Sequence, residues 1–171
     1  MTHERIPVAG WQDQRGHVER YEWVKKHLGE WDDVLDVCCG IGYGAKVLDI
    51  GTDYKGLDKE PADMHLIGDG WFTLRNVNEA VWHSDLTATV VIAFEAIEHV
   101  ANPVAFCTDI TWIAQREIFV SVPIVPTKHM NEHHLHDFTV DDIPPMFPGW
   151  RVADEWAQPR EFSHVWRFVR E

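Results

Sequence analysis

The sequence predicts an α/β protein built on a doubly wound, mostly parallel sheet of seven strands, or six if one connection is trimmed, closed by a C-terminal antiparallel hairpin. Three observations predict it. Apolar, β-branched runs alternate with helical stretches, as parallel crossovers require. The first run, residues 34–38, carries an acid and turns through Gly40, Gly42 and Gly44 into a helical stretch, which is the plan of a nucleotide-cofactor pocket. The last two runs, 151–156 and 162–169, alternate apolar and polar residues around a turn near Gln158-Pro159-Arg160, the pattern of a hairpin.

Taken in order, residues 16–28 place Val18, Tyr21, Val24 and Leu28 near helical spacing, with Gly29 as a stop. Strand 34–38 comes next, then a short helix over 45–50 ended by Gly51, then strand 54–57. Between Asp58 and Asp69 the chain has only residues 59–68, including Pro61, too few for a usual crossover helix plus a strand. We expect a trimmed connection with 64–67 as a short edge strand, leaving one sheet face thinly covered and open to a homodimer. Residues 74–81 are expected to form a small helix. Residues 88–94, Ala-Thr-Val-Val-Ile-Ala-Phe, are the clearest buried strand. Asn102 and Pro103 open a helix whose core stripe is Phe106, Ile110 and Ile113. Strand 117–122 stops before Pro123 and Pro126; a histidine-rich loop, 128–138, and a Pro144-Pro145 interruption precede the hairpin. No internal repeat appears, and residues 1–171 read as one domain.

Lys and Arg number 15 against 28 Asp and Glu, a formal charge of −13, so long nucleic acids and anionic membrane surfaces are disfavoured partners. Cys38, Cys39 and Cys107 are an odd set with no CxxC spacing, the usage of a reduced, cytoplasmic protein. Met1-Thr2-His3-Glu4-Arg5 lacks the apolar run of a signal peptide, and no segment approaches the roughly 20 apolar residues of a membrane span.

Gly40-Ile41-Gly42-Tyr43-Gly44-Ala45 also satisfies the dinucleotide fingerprint, so the glycines alone do not choose a cofactor. Asp36 does. At the mouth of the turn a carboxylate repels a pyrophosphate and attracts the ammonium and sulfonium of S-adenosylmethionine. Asp58, ending the next strand, is suited to both ribose hydroxyls of either nucleotide class. The plainer reading of Asp36 is a helix N-terminal acid stabilised by the dipole.

These residues resemble the class I S-adenosylmethionine-dependent methyltransferases, whose first motif reads approximately D-x-G-C-G-x-G-x-G; Cys38 stands in place of its first glycine. His17-Val18-Glu19-Arg20-Tyr21 resembles the family's leading helix, which puts the segment 1–30 over the methionine end of the cofactor. Ile67-Gly68-Asp69 resembles the acid that receives the adenine amino group, and Phe94-Glu95-Ala96-Ile97-Glu98-His99-Val100 a string at the end of the fourth strand. The motif order is that of the family from about residue 15 to 140. The resemblance implies a Rossmann-like methyltransferase fold and S-adenosyl-L-methionine held by Tyr21, Asp36, Cys38, Gly40, Gly42, Asp58, Asp69, Phe94 and Glu95. Trp71, beside Asp69-Gly70, is a candidate adenine contact, whereas most other tryptophans read as packing.

The Glu-x-x-Glu-His string also resembles those of ubiquinone-pathway O-methyltransferases and of small-RNA 3′-terminal ribose methyltransferases. In the latter, two Glu and two His hold a metal that binds the hydroxyls to be methylated. Carried over, these are Glu95, Glu98, His99 and one of His133, His134 or His136, with His134 taken as the fourth ligand of Mg or Mn. Two alternatives stay open: His99 or a loop histidine as general base, or a purely structural cluster. The leading expectation is methyl transfer to oxygen or nitrogen of a small or terminal acceptor, with Glu98, His99 and His134 on the acceptor side. A metal-assisted RNA-end 2′-O-methyltransferase and a non-catalytic cofactor-binding regulatory or assembly subunit are the alternatives.

Overall fold

The computed structural model describes residues 6–158, 160 and 162–171. The stretch Met1 to Arg5 and Pro159 of the expected hairpin turn lie outside the described residues. Strands β1 (Val34–Val37), β2 (Tyr54–Asp58), β3 (Trp71–Leu74), β4 (Ala88–Phe94), β5 (Ala114–Pro123), β6 (Trp150–Gln158) and β7 (Ser163–Arg170) form one seven-stranded sheet in the order β3-β2-β1-β4-β5-β7-β6. The first five pair in parallel. β7 runs antiparallel to both β5 and β6, completing the expected hairpin. The chain winds outward in opposite directions from β1 and β4, so the crevice beyond their carboxyl ends is the natural ligand position.

Side-chain alternation divides the core in two. Val34, Val90, Ile92 and Phe94 face a layer made by α1 (Arg15–Lys25), α2 (Tyr43–Leu48) and the single turn α3 (Met64–Ile67). Leu35, Val37, Val91 and Ala93 face α4 (Pro103–Ile113) and the turns around Ile143 and Phe147. α4 starts as its sequence predicts: the Asn102 side chain accepts from Ala105 N at 3.1 Å, with Pro103 in the first turn. Among the described residues no helix is long and apolar enough to cross a membrane.

Three local expectations are corrected. Residues 64–67 are helical, not an edge strand, because the Asp63 carboxylate accepts from His65 N at 2.8 Å and caps the turn. The edge strand is β3, whose Trp-Phe-Thr-Leu composition favours a pleated surface. Residues 75–81 form no helix but a series of turns, fastened by Arg75, which donates to Trp82 O and pairs with Asp85. The stop after α2 is also earlier than Gly51, since Asp49 takes the left-handed conformation at φ 56°.

Candidate functional site

A cavity opens beyond the carboxyl ends of β1, β2 and β4, lined by Tyr21, Cys38, Gly40, Asp58, Phe94, Glu95 and His99 among others. Its floor is the turn after β1. Cys38 at φ 61° and Gly40 at φ 60° both adopt left-handed backbone, a conformation that costs a non-glycine residue roughly 1–2 kcal/mol. Open space lies where a Gly40 Cβ would stand, with nothing within 4 Å. Asp58 faces this turn and orders it: its Oδ2 accepts from Gly40 N at 2.9 Å and its Oδ1 from Glu60 N at 3.0 Å. Gly42 serves packing instead. At φ 88°, its Cβ would meet Ile67 Cδ1 at 2.5 Å, so the turn presses closely on α3.

Asp36 is not at the lip of the cavity. It lies within β1, 1% exposed, and alternation turns it toward the α1 and α2 layer. Its Oδ2 accepts from Tyr54 Oη at 2.6 Å and Tyr21 Oη at 2.9 Å, while Oδ1 is buried without a hydrogen-bond partner. Burial pushes its carboxyl up to about 7 against the opposing tyrosine hydrogen bonds. The expected direct approach of this acid to a cationic ligand is therefore corrected: Tyr21, which does line the cavity, stands between.

Asp69 is corrected too. It is exposed and precedes β3, so it sits at the amino end of the parallel strands, away from the cavity. Trp71, 68% exposed and paired with Lys55 at that same end, is no wall of the cavity. Beyond the carboxyl end of β3 the chain continues as Arg75-Asn76-Val77-Asn78, and all four residues line the cavity next to Asp58 and Lys59. Sequence reasoning passed over them because it placed the third strand one element too early; the signal was the aromatic and β-branched run bounded by Gly70.

Glu95 lines the cavity, but its carboxylate is engaged by other elements of the fold. Arg20 Nη1 approaches its Oε1 at 3.1 Å, Ser121 Oγ donates to Oε1 at 2.8 Å and Ser163 Oγ to Oε2 at 3.2 Å. His17, also a lining residue, has its imidazole lowered to about 4 by burial and by neighbouring Arg20. It is neutral at physiological pH.

Next to the cavity, which His99 lines, Glu98, His99 and His134 bring one ligand atom each within 4.8 Å of one another. Glu98 is 1% exposed, and neither carboxyl oxygen has a hydrogen-bond partner. Burial, reinforced by Glu95, holds its pKa well above the carboxylate range. His99 Nδ1 donates to His133 O at 3.1 Å, and His134 Nδ1 is hydrogen-bonded to Thr127 Oγ1 at 2.6 Å. The two rings meet edge to face at 4.7 Å. The histidine-rich loop is docked on this turn by Leu135 N donating to Glu98 O at 2.8 Å and His136 Nε2 to Val100 O at 3.0 Å. Of the four expected metal ligands the structure groups three; Glu95 is occupied elsewhere.

Neither a protein-family model nor a curated protein matches the sequence. Solved structures do match in fold. A chain from the complex of the Haloferax volcanii Trm112 methyltransferase activator aligns with a TM-score of 0.73 at 15% identity, over 94% of this chain and 92% of that one. Magnesium protoporphyrin IX methyltransferase of Synechocystis PCC 6803, with bound SAH, aligns with a TM-score of 0.72 at 14% identity, over 98% and 89%. The N-methyltransferase NodS of Bradyrhizobium japonicum WM9, in complex with S-adenosyl-L-homocysteine, gives 0.69 at 8% identity, over 93% and 86%. The fold is that of the class I methyltransferases.

Proposed function

We propose that this chain is an S-adenosyl-L-methionine-dependent methyltransferase acting on oxygen or nitrogen of a small or terminal acceptor. One observation carries the reading: the acid ending β2 and the left-handed glycine turn ending β1 face each other across one cavity, joined by Gly40 N donating to Asp58 Oδ2 at 2.9 Å. The open space over Gly40 fits a ligand backbone at close approach. Asp58 suits the ribose hydroxyls, Asn76 and Val77 the adenine, and Tyr21, Cys38 and Gly40 the amino-acid end, with Phe94 as a wall. The cofactor supplies an electrophilic methyl group on sulfonium.

His99 is the lining residue on the acceptor side that can hold a proton. With Nδ1–H donating to His133 O, the ring's Nε2, 3.9 Å from Glu98 Oε1, is the nitrogen suited to a base. It takes the proton from the acceptor hydroxyl or amine as the acceptor atom bonds to the methyl carbon, and the carbon–sulfur electron pair stays on sulfur. Glu98 lies beside that nitrogen, and the His134 ring packs edge to face against the His99 ring. Positioning supplies most of the rate in such a transfer. The charge of −13 fits a small acceptor better than a long polyanion. Three cysteines outside any disulfide fit a reducing compartment such as the cytoplasm. An exposed β3 edge with Trp71 and Leu74 is the surface a second copy or a protein partner would use.

Glu98 favours a second reading, in which a divalent metal assists at an RNA end. A buried carboxyl whose oxygens accept no hydrogen bond, with Oε1 3.9 Å from His99 Nε2 and a second imidazole beside it, suits a cation such as Mn²⁺ or Mg²⁺. Glu98, His99 and His134 would hold it, and it would lower the pKa of a bound hydroxyl. An acceptor panel of small alcohols, phenols, amines and a short RNA, assayed for methyl transfer with and without chelator, separates the two readings. Chelator-insensitive transfer to a small acceptor supports the first; transfer only to RNA, lost with chelator and restored by Mn²⁺, replaces it with the second.

A further inference from the structure

The two edges of the sheet are built differently. β6 carries exposed Arg151, Asp154 and Glu155 and a register shift between Val152 and Asp154, devices that keep an edge from pairing with another chain. β3 has neither. It consists of Trp71, Phe72, Thr73 and Leu74, with the first and last of these side chains largely exposed. Residues 75–87 supply turns instead of a crossover helix, and a groove lies between Leu35, Leu57, Trp71, Thr73 and Leu86.

Backbone directions decide what such an edge accepts. Arg75 N donates to Asp58 O of β2 at 2.8 Å, so the Leu74 C=O of the same trans peptide points to the open side. Alternation along β3 turns the N–H and C=O of Phe72, the N–H of Leu74 and the C=O of Gly70 the same way. An antiparallel copy with Phe72 opposite Phe72 then exchanges two main-chain hydrogen bonds at the centre, and Leu74 N–H meets Gly70 C=O at each end. The side chains match in that register. Trp71 falls opposite Thr73, and Asp69 opposite Arg75, at both ends. Aromatic pairs, aromatic and β-branched pairs, and opposite charges are combinations that stabilise neighbouring strands. A slip of one residue would set inward-facing amides at the seam, and a slip of two would separate the charges.

We propose that two copies of this chain pair through β3, antiparallel about a twofold axis at Phe72, into one continuous sheet. The proposal rests on reading the β3 edge as an interaction surface and stands apart from the cofactor assignment. An isologous interface requires a self-complementary surface, and residues 69–75 supply one, with an acid at the start and a base at the end. Arg75, held by Asp85 at 2.6 Å, has further donors for Asp69 of the second copy. These pairs offset at the seam part of the repulsion between chains that each carry −13. Trp71 of the second copy extends the outer wall of the groove beside Thr73, covering apolar surface that one chain leaves in water.

Sedimentation velocity of the full chain from about 1 to 200 µM, with a cross-linking series, tests this. The unmodified protein should pass from monomer to dimer within that range. Trp71→Lys, at an exposed side chain away from the cavity, should weaken the dimer at least tenfold and leave S-adenosyl-L-homocysteine affinity unchanged. Under mild oxidation Phe72→Cys should form a disulfide-linked dimer, because a hydrogen-bonded antiparallel pair sets its Cα atoms about 5.5 Å apart. Thr73→Cys should not, since its counterpart lies two residues out of register, beyond the roughly 7 Å that a disulfide spans. A monomer throughout would overturn the second copy as occupant, as would a dimer that Trp71→Lys leaves intact. Cross-linking at Thr73→Cys in preference to Phe72→Cys would overturn the register. Failure to bind S-adenosyl-L-homocysteine would remove the cofactor assignment and leave the dimer standing.

Discussion

Tyr21 stands between Asp36 and the cavity: its hydroxyl donates to Asp36 Oδ2 at 2.9 Å while its ring lines the space where a cofactor fits. Phe94 and Tyr43 hold that ring edge-on, each at 5.2 Å. Gly44 makes the arrangement possible, since a Cβ there would come within 2.5 Å of Tyr21 and 2.7 Å of Asp36. The motif acid thus reaches the cavity at one remove, fixing a residue that lines it.

Asp36 makes stability depend on pH. Its carboxyl is raised to about 7 in the fold, against roughly 3.9 unfolded. A raised acid binds its proton more tightly when folded. Its contribution is therefore complete below pH about 4 and is lost as pH rises toward 7, by at most about 1.4 kcal/mol per pH unit. Asp36→Asn keeps an oxygen acceptor for the tyrosines and removes the titration. Urea unfolding across pH 4–8 should show the variant gaining on the parent protein through this window and levelling above it. A difference independent of pH would show that Asp36 is ionised throughout.

The corrected third strand makes a prediction about the adenosine end. Asp58→Ala and Asn76→Ala should each weaken S-adenosyl-L-homocysteine binding about tenfold or more, the loss of ~1.4 kcal/mol of interaction. Asp69→Ala, on an exposed loop at the other end of the sheet, should change nothing measurable by calorimetry. Reversal of the last two results would restore Asp69 to the site.

Two turn positions respond oppositely to small changes. Cys38 carries left-handed backbone at φ 61°, so Cys38→Gly should be stabilising by up to about 1 kcal/mol once glycine's own entropy cost is deducted. Gly42→Ala adds both left-handed strain and a clash with Ile67 and should cost roughly 2–4 kcal/mol. Denaturant midpoints of both variants check this pair.

Glu98 distinguishes cation binding from a metal-free base. If the cluster holds Mn²⁺, added Mn²⁺ should raise the melting temperature of the unmodified protein, and Glu98→Gln should abolish that rise. No metal-dependent shift in either protein would leave His99 as a base oriented by its neighbours.

Much of the fold was legible where local chemistry and tertiary placement agree. The β4 run is apolar and β-branched throughout, Asn102-Pro103 is a cap signal, and the β6–β7 alternation matches a hairpin. Met64 to Ile67 was not legible in the same way, because four residues are too short a run to show a period that separates strand from helix; Asp63 as a cap decided it. That one displacement carried Asp69 and Trp71 into the expected site and left Asn76 to Asn78 out. Asp58, Cys38, Gly40 and His99, which line the cavity, were legible as candidates because each lies at or just past a strand end. The inward turn of Asp36 needed knowledge of which tyrosines lie opposite, and Tyr54 is reached only through strand pairing.

Isothermal titration of the purified chain with S-adenosyl-L-homocysteine tests the central claim most directly. Saturable one-to-one binding in the micromolar range, weakened at least tenfold by Asp58→Ala, is the predicted result. Absence of heat up to millimolar ligand, from protein shown to be folded by circular dichroism, would contradict it.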